Sequence, residues 1–182
     1  MAVGNCPNDH VVDDGLEYST TMPDKKTYKL EIISGAKEHK NHDLAIVSFK
    51  SKRDYTSLDL VKEGADVLLH NEPVAFAGYP AEWVGGEDNH KGRYKQAGTD
   101  SYLTLDIGTF NAKGDSRSNY PKEGTEKLWF DSIASAGGAS GAPIVNKDGK
   151  LVAITNRLDW VYTGGVPINE VRDSINKVVA EY

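Results

Sequence analysis

The sequence predicts an all-β fold closed by a single C-terminal helix, and three observations carry that expectation. First, polar and apolar residues alternate over Tyr28-Lys29-Leu30-Glu31-Ile32 and again over Tyr102-Leu103-Thr104-Leu105-Asp106-Ile107, the period of a strand with one buried face. Second, Ile144-Val145-Asn146 and Leu151-Val152-Ala153-Ile154 flank Lys147-Asp148-Gly149-Lys150, which reads as strand, Asp-Gly turn, strand. Third, the clear helical spacing lies in the C-terminal segment. There Asn169 is placed to cap a helix whose Val171, Ile175, Val178 and Val179 share one face. The 182 residues, 38% of them apolar, with 18 Gly and 7 Pro, suit a loop-rich β protein of one large domain or two small ones.

Composition also excludes whole classes of partner. A formal charge of -6 argues against nucleic acid and anionic membrane, both of which reward clustered Lys and Arg. No apolar run is long enough to span a bilayer. The single Cys6 forbids an internal disulfide, and no signal-peptide pattern opens the chain at Met1-Ala2-Val3-Gly4. Metal-ligand spacing is missing too, since there is neither His-Glu-x-x-His nor a pair of cysteines.

Chemistry concentrates in Gly137-Gly138-Ala139-Ser140-Gly141-Ala142-Pro143, where one hydroxyl sits among residues too small to cover it. Glycine at 138 and 141 permits backbone angles that let the amides of Gly138 and Ser140 turn toward one point, as an oxyanion hole requires. A plain Gly/Ala/Ser-rich turn between two strands fits these residues equally. The hairpin that follows decides how the serine is mounted. An α/β-hydrolase elbow needs glycine two residues after the serine and then a helix, whereas Ala142 and Pro143 stand here. The arrangement resembles the chymotrypsin-like serine proteases, whose Gly-x-Ser-Gly-x-Pro motif opens a hairpin, and within them the glutamyl endopeptidase and exfoliative-toxin branch of bacteria.

Two further words support that resemblance. Asn8-Asp9-His10-Val11-Val12 is similar to the family's catalytic-histidine motif, and His42-Asp43-Leu44-Ala45-Ile46-Val47 to the strand that follows its aspartate. The resemblance implies a double β-barrel and a triad in which Ser140 attacks, His10 moves the proton and Asp43 orients His10. The order His10, Asp43, Ser140 is the family's own. Read singly, His10 is also consistent with an idle residue at a chain end, and Asp43 with a turn cap before an ordinary strand. His39 and His42 lie too near Asp43 in the chain to replace His10 easily, and His70 and His90 read as surface histidines.

The remaining elements follow in order. The family places two strands ahead of its histidine where this chain has nine residues, so the first barrel, 1–60, is expected to be incomplete at its N-terminus, with an unpaired edge. Asp13 to Lys26 is polar and turn-rich, and Gly35 to Asn41 is a charged loop. Residues 61–72 are taken as a linker, and the pattern over Leu58 to Val67 fits a helix or an extended segment. The second barrel is expected over 73–168. It would start at the buried strand Val74 to Tyr79, stopped by Pro80, and reach its last strand before the nucleophile at Lys127 to Ile133. Trp83 to Asp100 reads as a surface excursion and Asn111 to Glu126 as a polar loop. The closing helix occupies 169–182.

By the same resemblance, the substrate pocket is bordered by Ser135, by Thr155-Asn156-Arg157 and by Gly165. The branch's histidine is replaced by Thr155, and Arg157 stands close to the place of a glycine. Arg157 can meet an acidic substrate residue through a charge-assisted bond, lean across the pocket, or sit on the surface. The expected function is peptide hydrolysis through an acyl-enzyme, without a cofactor, on a protein or peptide substrate, by a secreted monomer. Two other readings stay open: an inactive homologue that binds a peptide or protein in the old cleft, and an adhesion or toxin-like module that binds through its long loops.

Overall fold

A computed structural model of the chain describes residues 17–35, 39, 42–62, 68–79, 82–84, 93–95, 103–114, 127–131, 139–159 and 162–181. Six of its strands close a barrel in the order β10-β11-β12-β9-β8-β5, and every pairing is antiparallel. The strands are β5 (Pro73–Gly78), β8 (Thr104–Gly114), β9 (Lys127–Asp131), β10 (Pro143–Asn146), β11 (Leu151–Asp159) and β12 (Tyr162–Pro167). All six lie within 73–168, the range in which the sequence places a second barrel. Closure leaves none of its strands as an open edge.

Earlier in the chain, β1 (Ser19–Thr21) pairs with β2 (Thr27–Lys29), and β3 (Glu31–Ser34) with β4 (Ile46–Ser48). Two findings here depart from the sequence reading. The polar stretch before Lys26 holds β1, turned into β2 around Lys25, whose φ of 64° sits in the left-handed region. The alternating segment 28–32 is broken at Leu30, whose amide donates to the Tyr18 carbonyl at 2.8 Å, so Leu30 is buried while Ile32 is half-exposed.

The barrel is filled by Phe76, Phe110, Phe130, Ile144, Val152 and Val166, with the Phe110 and Phe130 rings edge to face at 5.9 Å. Leu44 and Val61 from the first third of the chain join the same cluster. Residues 58–61 of the segment that fits either a helix or a strand run alongside β11, and 63–67 lie outside the described residues. Leu60 bridges to Leu151, the Val61 amide donates to the Leu151 carbonyl at 3.1 Å, and the Leu151 amide to the Asp59 carbonyl at 2.8 Å.

Strand β8 is longer than its apolar alternation, running through Asn111 to Gly114 where a loop was expected. Its partner β9 supplies the ladder, with a bulge at Asn111 whose carboxamide donates to Asp131 at 2.7 Å. Polar composition hides a strand when the neighbouring backbone rather than a buried face defines it. The surface excursion also contains a ladder, β6 (Glu82–Val84) with β7 (Arg93–Lys95). Helix α1 (Ile168–Glu181) begins one residue before Asn169, so Asn169 lies inside the first turn instead of capping it. Its apolar face buries Ile168 and Val171 and partly buries Ile175, but Val179 stays 60% exposed because the helix outruns its contact with the barrel.

Two outcomes follow from this packing. Phe130→Ala empties the most enclosed ring position and is expected to cost about 3–5 kcal/mol in chemical denaturation. Glu72, whose carboxylate accepts the Leu69 amide at 2.9 Å and lies 3.3 Å from Lys147, has its pKa held below the ordinary carboxylate value, mainly by that amide. Its stabilising contribution is full above the unfolded glutamate pKa and is lost as pH falls through the lower folded value. Glu72→Gln should therefore flatten the acid side of a stability-against-pH curve.

Candidate active site

The loop carrying Ser140 is shaped by a tight turn and pinned to the barrel wall. The Ala142 amide donates to the Ala139 carbonyl at 3.0 Å, which places Ser140 and Gly141 at the two central positions. Gly141 has φ 87°, the angle that a type II turn requires of its third residue and that side chains resist. Two bonds fix the turn to β11: Gly141 amide to Thr155 carbonyl at 2.7 Å, and Thr155 amide to Ala142 carbonyl at 2.9 Å. Ala139 and Ala142 are buried beneath it, while Ser140 remains partly accessible. Among the described residues the Ser140 amide donates to no backbone carbonyl.

Behind the turn, the β10–β11 hairpin is built as its sequence predicts. Gly149 has φ 71°, and the Asn146 side chain accepts the amides of Asp148 at 3.1 Å and Lys150 at 3.0 Å. The chain therefore reverses sharply, and β11 returns directly under the Ser140 turn.

Asp43 reaches the same strand from the other half of the chain. The Leu44 amide donates to the His42 carbonyl at 2.8 Å, so Asp43 sits at the apex of an inverse γ-turn just before β4. Asn156 donates from Nδ2 to Asp43 Oδ2 at 3.4 Å. The register of β11 against β12 slips between Thr155 and Arg157, leaving Asn156 as the extra residue of a bulge. Bulges re-aim a side chain relative to the regular pleat. The residue immediately after the one that holds the Ser140 turn thus contacts Asp43.

The pocket residues fall into two groups. Thr155 and Asn156 are buried, and the Thr155 hydroxyl and the Asn156 carboxamide oxygen have no hydrogen-bond partner among the described residues. Arg157 is half-buried in β11 opposite Gly164. Gly165, opposite Thr155, has a packing reason of its own: a Cβ there would stand 2.9 Å from the Ala153 Cβ and 3.1 Å from the Ile154 carbonyl. A glycine read from sequence as ligand space is thus demanded by the sheet itself. Asn156, read as a pocket residue, bonds to Asp43, a role that only the bulge reveals. His10, Ser135 and Gly138 lie outside the described residues.

Two histidines have structural surroundings that sequence reading missed. His39 is fully enclosed between Ser34 and Ser174, and His42 is buried 3.4 Å from Glu170. His70 is exposed as expected, with Nδ1 2.7 Å from the Asn111 carbonyl.

A hairpin-mounted serine and an aspartate brought to the strand beneath it coincide with a family match. The sequence matches the trypsin-like peptidase domain over residues 7–154, a span that includes His10, Asp43 and Ser140. The chain belongs to the trypsin-like peptidase family. No curated protein matches it. Membership supports a function of the serine-protease type, on a mostly β fold with one closed barrel and a C-terminal helix.

The Gly141 geometry gives this site its own test. Gly141→Ala places a Cβ on a backbone at φ 87° and is expected to cost about 1–3 kcal/mol, read as a lower thermal midpoint. Ala142→Gly, in the same turn without a left-handed angle, should move the midpoint less.

Proposed function

We propose that this chain is a serine endopeptidase that hydrolyses peptide bonds through an acyl-enzyme. The observation that carries the reading is the double use of β11. Thr155 holds the turn bearing Ser140, and its neighbour Asn156 contacts Asp43, so an alcohol and an acid nearly a hundred residues apart in the chain converge on one strand. His10 supplies the imidazole between them.

In this reading the Ser140 hydroxyl oxygen attacks the substrate carbonyl carbon while His10 takes its proton. The carbonyl oxygen becomes an oxyanion, received by the amides of Gly138 and Ser140. The C–N bond then breaks as His10 returns the proton to the departing amine. Water repeats the sequence on the ester, with His10 again as base, and frees Ser140. Asp43 accepts the imidazole Nδ1 hydrogen, fixing the tautomer and stabilising the imidazolium, and Asn156 holds the carboxylate in place. No cofactor enters.

The substrate is a protein or peptide, and the residue before the scissile bond rests against Ser135, Thr155, Arg157 and Gly165. The buried Thr155 hydroxyl and the Arg157 guanidinium both favour an acidic side chain there, in keeping with the glutamyl endopeptidase and exfoliative-toxin branch. The enzyme acts as a secreted monomer.

A fluorophosphonate probe tests the reading. Rapid labelling of Ser140, abolished in Ser140→Ala and His10→Ala, is the expected result, and a folded protein that takes no label contradicts it. Asp43→Asn should lower kcat by roughly ten-thousandfold at neutral pH while leaving the fold intact. Within a peptide series differing only at the cleavage position, glutamate or aspartate should give the highest kcat/KM, and Arg157→Ala should remove that preference.

A further inference from the structure

Among the described residues ahead of Asp43 the strands are only three or four residues long, yet His39 and His42 are both tied to the C-terminal helix. His39 Nδ1 lies 2.8 Å from Ser174 Oγ, and His39 Nε2 lies 2.7 Å from Ser34 Oγ. Ser174 donates its own hydrogen to the Val171 carbonyl at 2.7 Å, so toward His39 its oxygen accepts. That assigns the N–H to Nδ1 and leaves Nε2 to accept from Ser34. The ring is fully buried and fixed at both nitrogens, one by β3 and one by α1.

One turn earlier on the same helix, Glu170 lies 3.4 Å from His42 Nε2 and accepts from Lys113 Nζ at 2.7 Å. Backbone bonds complete the path: the His42 amide to the His39 carbonyl at 3.0 Å, then the Leu44 amide to the His42 carbonyl at 2.8 Å across Asp43. Leu44 is itself buried in the barrel core. Asp43 is therefore held on one side by Asn156 of β11 and on the other by a backbone clamped to α1.

We infer that His39 and His42, through Ser174 and Glu170, are positioning residues that make helix α1 part of the device orienting Asp43. The inference rests on the serine-peptidase reading above and adds an element to it. A helix that would otherwise only cap the barrel sets the direction of the acid. A displacement of about 1 Å in a catalytic group can cost on the order of a hundredfold, so loosening this clamp should be visible in turnover.

The experiment compares full-length Ser174→Ala and Glu170→Gln with wild type, each normalised to active sites titrated with a fluorophosphonate. Expected are a fall in kcat of roughly tenfold to a hundredfold per titrated site and a KM within about twofold of wild type. The acid limb of the kcat profile should also shift to lower pH, because an imidazolium with a misplaced carboxylate is less stabilised. Ser174→Thr, which keeps the hydroxyl, should recover most of the loss. Arg172→Ala is the control for simple loss of stability, since Arg172 donates to the Val61 carbonyl at 2.7 Å from the same helix and, among the described residues, makes no hydrogen bond or ion pair with the Asp43 segment. It should lower the thermal midpoint and leave per-site kcat and the pH profile unchanged. A wild type that turns over while Ser174→Ala and Glu170→Gln match it per site overturns the clamp alone. Equal per-site losses in Arg172→Ala also overturn it. A wild type that takes no label overturns the peptidase reading, and the positioning role with it.

Discussion

Two short backbone bonds between the Ser140 turn and Thr155 are the constraint on which the rest of this molecule depends. A serine hydroxyl becomes a useful nucleophile only when its backbone cannot wander, and a turn made of alanine and glycine has no side chains with which to hold itself. Here the stiffness comes from outside the turn. The Gly141 amide and the Ala142 carbonyl both pair with one residue of β11, a strand that is itself ordered by neighbours on both sides of a closed barrel. The left-handed angle at Gly141 is tolerable because glycine bears no Cβ.

The same strand solves a second problem, that the acid belongs to the other half of the chain. Regular pleating would alternate the side chains after Thr155 between core and exterior. The bulge at Asn156 breaks that alternation and lets the carboxamide meet Asp43. Leu44 and Val61, from the same half of the chain as Asp43, bury in the barrel core, so apolar burial and the polar contact point the same way. Agreement between independent levels of structure is what distinguishes a specified site from a chance proximity.

Much of this was legible in the residues. The Asp-Gly turn between two apolar runs locates β10 and β11, and the small residues beside Ser140 mark a tight turn, because both are local signals set by allowed backbone angles. The closing helix was visible in its spacing, although its buried face ends sooner than the valines imply, since burial depends on how far the barrel wall extends. What the sequence withheld is non-local. The polar end of β8 is a strand only because β9 lies beside it, and the packing need for Gly165 comes from Ala153 and Ile154 on the neighbouring strand. In the sequence His39 belongs to a charged loop and His42 only precedes the Asp43 strand, with no sign that either is buried. Their burial depends on a helix more than a hundred residues away.

The central claim is that Ser140, Asp43 and the imidazole of His10 form one hydrogen-bonded unit over β11. A crystal structure of the covalent phosphonate adduct tests it most directly. The account predicts phosphorus bonded to Ser140 Oγ, a phosphoryl oxygen within about 3 Å of the Gly138 and Ser140 amides, and the His10 ring bonded through Nδ1 to Asp43 with Nε2 facing the adduct. An adduct in which His10 lies away from both partners, or in which Asp43 turns from Asn156 toward solvent, would contradict it.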